Sequence, residues 1–172
     1  MFRSCSALTT AVNVGHLDWG FTTALTNVSN LFRECTGFKT WSYPANVLKG
    51  GVTNMSYLLD GCTAFTTTSL GGTTTAVTNM SYAFRNCSSL TSVDVTTWNW
   101  AKVTNTSYMF SGCTKLTSLK VGNYYPTSAP TRTSMFASIT TSGKIILPSA
   151  SATYNGWYNN VFNGYKPSSW TY

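Results

Sequence analysis

Hydrophobic positions recur along the chain in units of about 26 residues, and each unit has two halves with different spacing. In the best-preserved unit the apolar residues Val77, Met80, Phe84 and Cys87 lie three or four positions apart. That spacing places them on one face of a helix. Over residues 92–96 apolar and polar residues alternate instead, as they do in a strand with one buried face. Each unit is therefore predicted to contain one short helix followed by one short strand.

The same pattern returns on both sides of this unit, at residues 25–35, 52–62 and 103–121. One position of the repeat is marked by the cysteines Cys5, Cys35, Cys62, Cys87 and Cys113. A period in this range, with one strand and one helix per unit, is typical of leucine-rich repeats. We therefore predict an α/β repeat solenoid of the leucine-rich-repeat type, with about five to six coils and one short parallel strand and one short helix in each. The predicted units lie near residues 1–24, 25–51, 52–76, 77–102, 103–128 and 129–148.

Stacking of the units turns each apolar position into a ladder that runs through the core. Parallel strands lie about 4.8 Å apart, so equivalent side chains of neighbouring units come into contact. The main ladder is predicted to contain Phe2, Phe32, Leu59, Phe84, Phe110 and Phe136. Phe84→Ala should then cost about 3–5 kcal/mol of stability. Arg85 is predicted to point outward, and Arg85→Ala should cost under about 0.5 kcal/mol.

The repeated cysteines are predicted to be free thiols buried in a ladder of their own. Cysteines one unit apart have parallel Cα–Cβ directions, which disfavours the torsion of about 90° that a disulfide requires. A buried thiol packs instead as a small apolar group. Zinc binding is disfavoured because the chain has no Cys-x-x-Cys pair and a single histidine, His16.

The two ends of the chain depart from the repeat in different ways. Beyond a predicted strand at residues 144–147 and Pro148, large apolar residues recur at helical spacing at positions 154, 157, 158, 161 and 162. We predict that residues 149–172 form a C-terminal cap over the last coil, because a solenoid requires its terminal units to be covered. Met1 aligns with the middle of the repeat motif, so the N-terminal coil is expected to be covered by further repeats or by a partner.

Residues 77–95 and 103–121 share the motif Val-Thr-Asn-x-Ser-Tyr-x-Phe-x-x-Cys-x-x-Leu-Thr-Ser-x-x-Val. This motif resembles the BspA-type leucine-rich repeats of bacterial surface proteins, and the resemblance covers residues 1 to about 148. It implies a noncatalytic protein that is exposed on a cell surface and serves adhesion or host binding; similar repeats occur in bacteriophage proteins. The shared motif describes a scaffold, so the resemblance identifies no binding residue.

Composition and charge narrow the possible functions further. Charged residues make up 9% of the chain, and the acidic residues number 4 and are scattered over several units. With no nucleophile motif beside them, we predict neither an enzyme nor a cofactor or metal site. No apolar run approaches the roughly 20 residues that a membrane span needs. The net charge is +7, and Arg3, Arg33 and Arg85 occupy the same position of successive repeats, which would place them in one column along the solenoid. Asp60 and Ser111 occupy that position in other repeats and interrupt the basic column. The interruption disfavours nucleic acid as a partner.

Aromatic residues between the strands are the strongest candidates for binding, since exposed tyrosine and tryptophan stack on sugars or anchor proteins. We predict a docking edge at Trp100, Tyr124 and Tyr125. Packing in the core is favoured for Trp98 and is an equal alternative for Trp100. The polar face of the predicted sheet adds the candidates Ser92, Asp94, Ser118 and Lys120.

Two functions fit these features. In the first, the protein is a noncatalytic recognition or adhesion module, extracellular or on a cell surface, that binds a protein or glycan through the polar sheet face and the aromatic edge. In the alternative, it is a structural component of a bacteriophage virion, such as a fibre or decoration protein. The outward-facing residues of the predicted sheet are mostly small and carry hydroxyl groups. Such a surface favours a broad, weak contact with a partner that is strengthened by avidity.

Overall fold

The computed structural model describes residues 2–9, 25–41, 51–69, 74–139, 141–149 and 151–172. His16 and most of the first predicted unit, residues 10–24, lie outside these ranges. The described elements are β1 (Thr40–Trp41), β2 (Thr67–Ser69), β3 (Ser92–Val95), β4 (Ser118–Val121), β5 (Gly143–Ile146), α1 (Ser151–Trp157), a π-helical segment (Tyr158–Phe162) and β6 (Trp170–Thr171). Within these ranges no helix has the length and apolar character needed to cross a membrane.

Six strands form one parallel sheet, and they lie side by side in chain order from β1 to β6. Equivalent positions of successive units pair with one another, as Ser92 does with Ser118 and Ser118 with Lys144. On β3 the side chains of Val93 and Val95 are buried, whereas the two polar positions stay partly exposed. The predicted parallel sheet of repeated, half-buried strands is confirmed.

The short helix predicted for each unit is wrong. The one α-helix of the described residues is α1, and the stretch between the asparagine and the cysteine of a unit is a series of tight turns. Alternate amides donate to the carbonyl three residues earlier, from Ala83 to Met80, from Arg85 to Tyr82 and from Cys87 to Phe84, over 3.1–3.2 Å. The amides between them donate to the next unit, from Met80 to Asn105, Tyr82 to Ser107, Phe84 to Met109 and Asn86 to Ser111, over 2.8–3.0 Å. The turns thus form a second hydrogen-bonded wall in addition to the sheet.

From residue 25 onward, two described residues in each repeat unit have left-handed backbone conformations that a right-handed helix cannot contain. In the central unit they are Tyr82, with φ of 61°, and Asn86, with φ of 59°, and each is the third residue of a turn. The equivalent residues Tyr57 and Tyr108 both have φ of 57°. A left-handed tyrosine costs about 1–2 kcal/mol. Stacking of the three tyrosine rings, at centroid distances of 4.5 and 4.9 Å, offsets part of that cost.

The repeated Thr-Asn sequence stabilises the first of these turns. The Oδ1 atom of Asn79 accepts a hydrogen bond from the amide of Ser81 at 3.0 Å. The same contact joins Asn27 to Ser29, Asn54 to Ser56 and Asn105 to Ser107. An asparagine that bonds the amide two residues on closes an Asx turn, which needs no helix behind it.

The predicted aromatic ladder is present in the core. Phe84 stacks on Phe110 with ring centroids 5.5 Å apart, and Phe110 stacks on Phe136 at 5.6 Å. At the other end Phe2 stacks on Phe32 at 5.5 Å. Each unit therefore contributes one large side chain to a continuous column that only stacked neighbours can bury.

The cysteine ladder is also present, with free thiols that are buried in every unit except at Cys5. Each buried thiol donates to a carbonyl of the preceding unit: Cys35 to Phe2 at 2.7 Å, Cys62 to Phe32 at 3.0 Å, Cys87 to Leu59 at 3.1 Å and Cys113 to Phe84 at 3.0 Å. The same carbonyls already accept the amide of the cysteine in their own unit. Burial raises the pKa of Cys87 well above its ordinary value, so the thiol keeps the proton that it donates. Cysteine suits this position because its side chain is small and largely apolar yet carries one weak hydrogen-bond donor.

The C-terminal residues pack against the last unit through α1 and the π-helical segment. The indole Nε1 of Trp157 donates to the carbonyl of Gly122 at 2.7 Å, and Phe162 contacts the ring of Phe136 at a centroid distance of 6.3 Å. The helical spacing predicted for positions 154 to 162 is confirmed by these two elements. Strand β6 pairs with β5 and extends the sheet by one strand.

Candidate functional site

The four polar residues predicted on the sheet lie together on its outer face, in β3 and β4. Ser92 pairs with Ser118, and Asp94 pairs with Lys120, in the register of the two strands. The Lys120 Nζ atom lies 3.6 Å from Asp94 Oδ2, and both side chains are about half exposed. The strands therefore hold one anion, one cation and two hydroxyls on a surface whose backbone is hydrogen-bonded on both sides.

Asp94 is held in place by the residue that follows its strand. Its Oδ1 atom accepts hydrogen bonds from the Thr96 amide at 3.0 Å and from the Thr96 hydroxyl at 2.8 Å. Partial burial raises the pKa of Asp94, but the two Thr96 hydrogen bonds and the Lys120 charge outweigh burial, so the pKa lies below its ordinary value. Asp94 is therefore a fixed carboxylate, an acceptor, at neutral pH.

A shallow depression of about 230 Å³ adjoins this pair where β4 and β5 end. It is lined by Thr96, Lys120, Val121, Gly122, Asn123, Ile146, Leu147 and Pro148. Gly122 is required at its base, because a Cβ atom there would overlap the backbone carbonyl of Thr96. We call this feature the β4–β5 depression.

The structure corrects the prediction that Trp100 faces a ligand. Trp100 is 0% exposed and packs edge-on against Trp157, with ring centroids 5.1 Å apart. Its indole Nε1 has no acceptor among the described residues. Trp98 is buried as well, so the core interpretation holds for both tryptophans. Side chains alternate between two faces from one residue to the next only within a strand. Strand β3 ends at Val95 and the chain turns before Trp100, so that rule does not decide where Trp100 points.

Of the other two residues of the predicted aromatic edge, only Tyr124 is widely exposed, at 58%. Tyr125 is half-buried, and its ring lies so close to Gly156 of α1 that any Cβ there would overlap it. The predicted edge of three aromatic residues is therefore reduced to Tyr124. Helix α1 adds an exposed aromatic residue, Tyr154, which sequence reasoning assigned to the cap alone.

Sequence reasoning missed a charge network on the wall of turns. Asp60 is buried, and the Arg85 guanidinium of the next unit donates to both of its oxygens, from Nε at 2.8 Å and from Nη2 at 2.9 Å. Arg33 of the preceding unit lies on its other side, with Nε 3.1 Å from Oδ2, although without hydrogen-bond geometry. The prediction that Arg85 simply points outward is wrong. The signal was present, since opposite charges occupy one repeat column and stacking brings such residues into contact.

Metal-binding chemistry has no support in the part of the chain that the structure describes. Within those residues no three His, Cys, Asp or Glu side chains come together in a group that could hold a metal ion. Asp18, which neighbours His16 in the sequence, lies outside the described ranges together with it.

Comparison with known families gives two overlapping matches to one model. The model is described as Mycoplasma protein of unknown function, DUF285, and it matches residues 1–67 and residues 26–146. A repeated sequence produces such overlap when one model aligns with it in two registers. Comparisons with curated proteins and with solved structures find no match.

Proposed function

Since the chain belongs to the DUF285 family of Mycoplasma proteins of unknown function, we propose that it is a BspA-like surface repeat protein that recognises a protein or glycan without catalysis. Its scaffold is a solenoid of five to six coils of the leucine-rich-repeat type, closed at residues 149–172 by a C-terminal cap. Its binding surface is the polar outer face of β3 to β5 together with Tyr124. We place the protein outside the cell, on a cell surface.

The observation that carries this proposal is the Asp94–Lys120 pair beside the β4–β5 depression. Opposite charges on an exposed sheet add little to stability, because an exposed ion pair contributes about 0–1 kcal/mol. A donor and an acceptor held on two rigid strands are, however, well suited to contact a polar partner. Binding sites built on strands are also positioned more accurately than sites on loops.

The scaffold supports recognition through repetition and stiffness. Backbone hydrogen bonds join successive units both in the sheet and in the wall of turns. Outward residues such as Ser92 and Ser118 are small, so each single contact is weak and several copies of the protein on one surface bind far more strongly. Adhesion by an array of such modules fits this geometry.

The second candidate is a structural role in a bacteriophage virion, as a fibre or decoration protein. The same two hydrogen-bonded walls favour it, since they would make a stiff spacer whether or not the sheet face binds anything. The two candidates differ in one respect: only a recognition module depends on the identity of Lys120 and Ser118.

Cell binding tests the proposal. We expect the fluorescently labelled full chain, tetramerised on streptavidin, to bind saturably to cultured animal epithelial cells in flow cytometry. The double variant Ser118→Ala, Lys120→Ala should bind at least about tenfold less, since its outer face has lost one hydroxyl and the cation that pairs with Asp94. The matched control is Lys115→Ala, which removes the same charge from the exposed turn before β4.

Equal binding by the double variant and the control would show that the sheet face is not the binding surface. Absence of saturable binding by the unmodified tetramer would refute recognition of such cells altogether. In that case the structural role becomes the better proposal.

A further inference from the structure

The β4–β5 depression has the size of a site for one small chemical unit. Its volume of about 230 Å³ lies below the roughly 300–1,000 Å³ of pockets that take drug-sized ligands. A folded partner would contact the rim but would not fill it. The occupant is therefore one compact group at the end of a larger molecule or a small free molecule.

The polar groups around the depression include both donors and acceptors. Lys120 lines it as a donor, and the Asp94 carboxylate beside Lys120 is an acceptor. The side chain of Asn123 is exposed and has no hydrogen-bond partner among the described residues, and its amide offers both functions. A ligand that matches this set must itself donate and accept at neighbouring atoms, as the vicinal hydroxyls of a sugar do.

The opposite wall of the depression is apolar. Ile146 is 38% exposed although it is a large aliphatic residue, and Leu147 and Pro148 continue the wall. A pyranose ring presents hydroxyls around its edge and C–H groups on its face. One such ring can therefore hydrogen-bond to the polar residues and pack against the apolar residues at the same time.

From these contacts we propose that the β4–β5 depression binds one neutral pyranose residue of a glycan. The inference rests on the proposed recognition function and specifies its ligand. The contacts are hydrogen bonds from Lys120 and Asn123 to adjacent hydroxyls, a hydrogen bond from a hydroxyl to Asp94, and packing of the ring face on Ile146 and Pro148.

Two other ligand classes fit the site less well. An anion such as phosphate would meet the Asp94 carboxylate, which lies 3.6 Å from the cation that would attract it. An extended peptide usually joins a sheet at a free strand edge. Both β3 and β4, which carry Asp94 and Lys120, are paired on each side and so have no free edge. Strand β5 is paired with β4, and with β6 through Gly143 and Lys144.

Solution NMR of the full chain with methyl glycosides of glucose, galactose, mannose and N-acetylglucosamine tests the proposal. We expect at least one of them to shift the amide signals of Gly122, Asn123 and Ile146 with millimolar affinity. Asn123→Ala should weaken that binding at least about tenfold. Tyr154→Ser removes an exposed aromatic residue of α1 outside the depression and should leave the affinity unchanged.

Two results overturn the proposal directly. One is the absence of shifts at the depression with every neutral glycoside. The other is a response to N-acetylneuraminic acid alone, which would make the depression an anion site.

The cell assay separates this inference from the proposed function. Periodate, under conditions strong enough to cleave the vicinal ring diols of neutral pyranoses, should abolish binding of the tetramer to cells. Binding that survives periodate but is lost after trypsin treatment would retain the recognition function and refute the glycan. Failure of the tetramer to bind untreated cells refutes the recognition function first, and this inference with it.

Discussion

Replacing Arg85 by methionine removes a guanidinium that joins two units while keeping most of its apolar stem. Arg85 donates two hydrogen bonds to Asp60, at 2.8 and 2.9 Å, and its side chain is 30% exposed. It also lies over the ring of Tyr82 at 4.8 Å. The variant therefore leaves a buried carboxylate with Arg33 as its one remaining cation among the described residues.

The size of the effect follows from these contacts. Removing one partner of a fully buried ion pair costs about 3–5 kcal/mol, because the other charge stays buried. Here the cost is smaller, since Arg33 remains within 3.1 Å of Asp60 and water reaches the place that Arg85 leaves. Loss of two charged hydrogen bonds under partial solvation gives an expected loss of about 2–3 kcal/mol in the free energy of unfolding. That exceeds the value of under about 0.5 kcal/mol expected for a residue that merely points outward.

Urea denaturation followed by circular dichroism measures this loss as a lower midpoint with an unchanged slope. The control is Arg3→Met, because Arg3 is mostly exposed and its partner Glu34 is 3.6 Å away at the surface. It should leave the midpoint where it is. A double-mutant cycle with Asp60→Asn should show positive coupling between Asp60 and Arg85. Equal midpoints for the Arg85 and Arg3 variants would refute the argument, since they would make the Asp60 contact energetically irrelevant.

Three further outcomes can be checked. Phe84→Ala should lower the free energy of unfolding by about 3–5 kcal/mol in the same urea assay, because it opens a cavity in the aromatic ladder. A loss below about 1 kcal/mol would contradict the stacking of Phe84 in that ladder. Iodoacetamide at pH 8 should label Cys5 alone in the native protein, because the other cysteines are buried and burial raises the pKa of Cys113 to about 12. After unfolding, mass spectrometry should find every cysteine labelled. A second labelled cysteine in the native protein would contradict the buried ladder. NMR titration should place the pKa of Asp94 below the ordinary value of an aspartate. The stability that Asp94 contributes is therefore present at neutral pH and is lost as the pH falls through that lowered pKa. Thr96→Ala keeps the amide hydrogen bond but removes the hydroxyl one, so it should raise that pKa; an unchanged pKa would show that the Thr96 hydroxyl does not lower it.

The repeat, the parallel sheet and the residues that form its ladders were predictable from the order of the amino acids. Equivalent side chains of stacked parallel strands must lie in contact, so the recurrence of Phe84, Phe110 and Phe136 was enough to predict their column. The alternation over residues 92–96 likewise identified Asp94 as an outward residue, and its register with Lys120 followed from the repeat length. The free, buried cysteines were predictable for the same reason.

The fold of the other half of each unit depends on how the units stack and was not predictable in this way. Apolar residues three and four apart fit one face of a helix and equally fit a series of turns, so the pattern could not separate the two. A helix would pair each amide within its own unit, whereas the turns leave amides such as those of Tyr82 and Phe84 to donate to the next unit. That partner exists only once the units are stacked. Trp100 shows the same dependence, because it is buried by Trp157 of α1, a residue 57 positions later whose placement depends on how the chain packs after the last repeat.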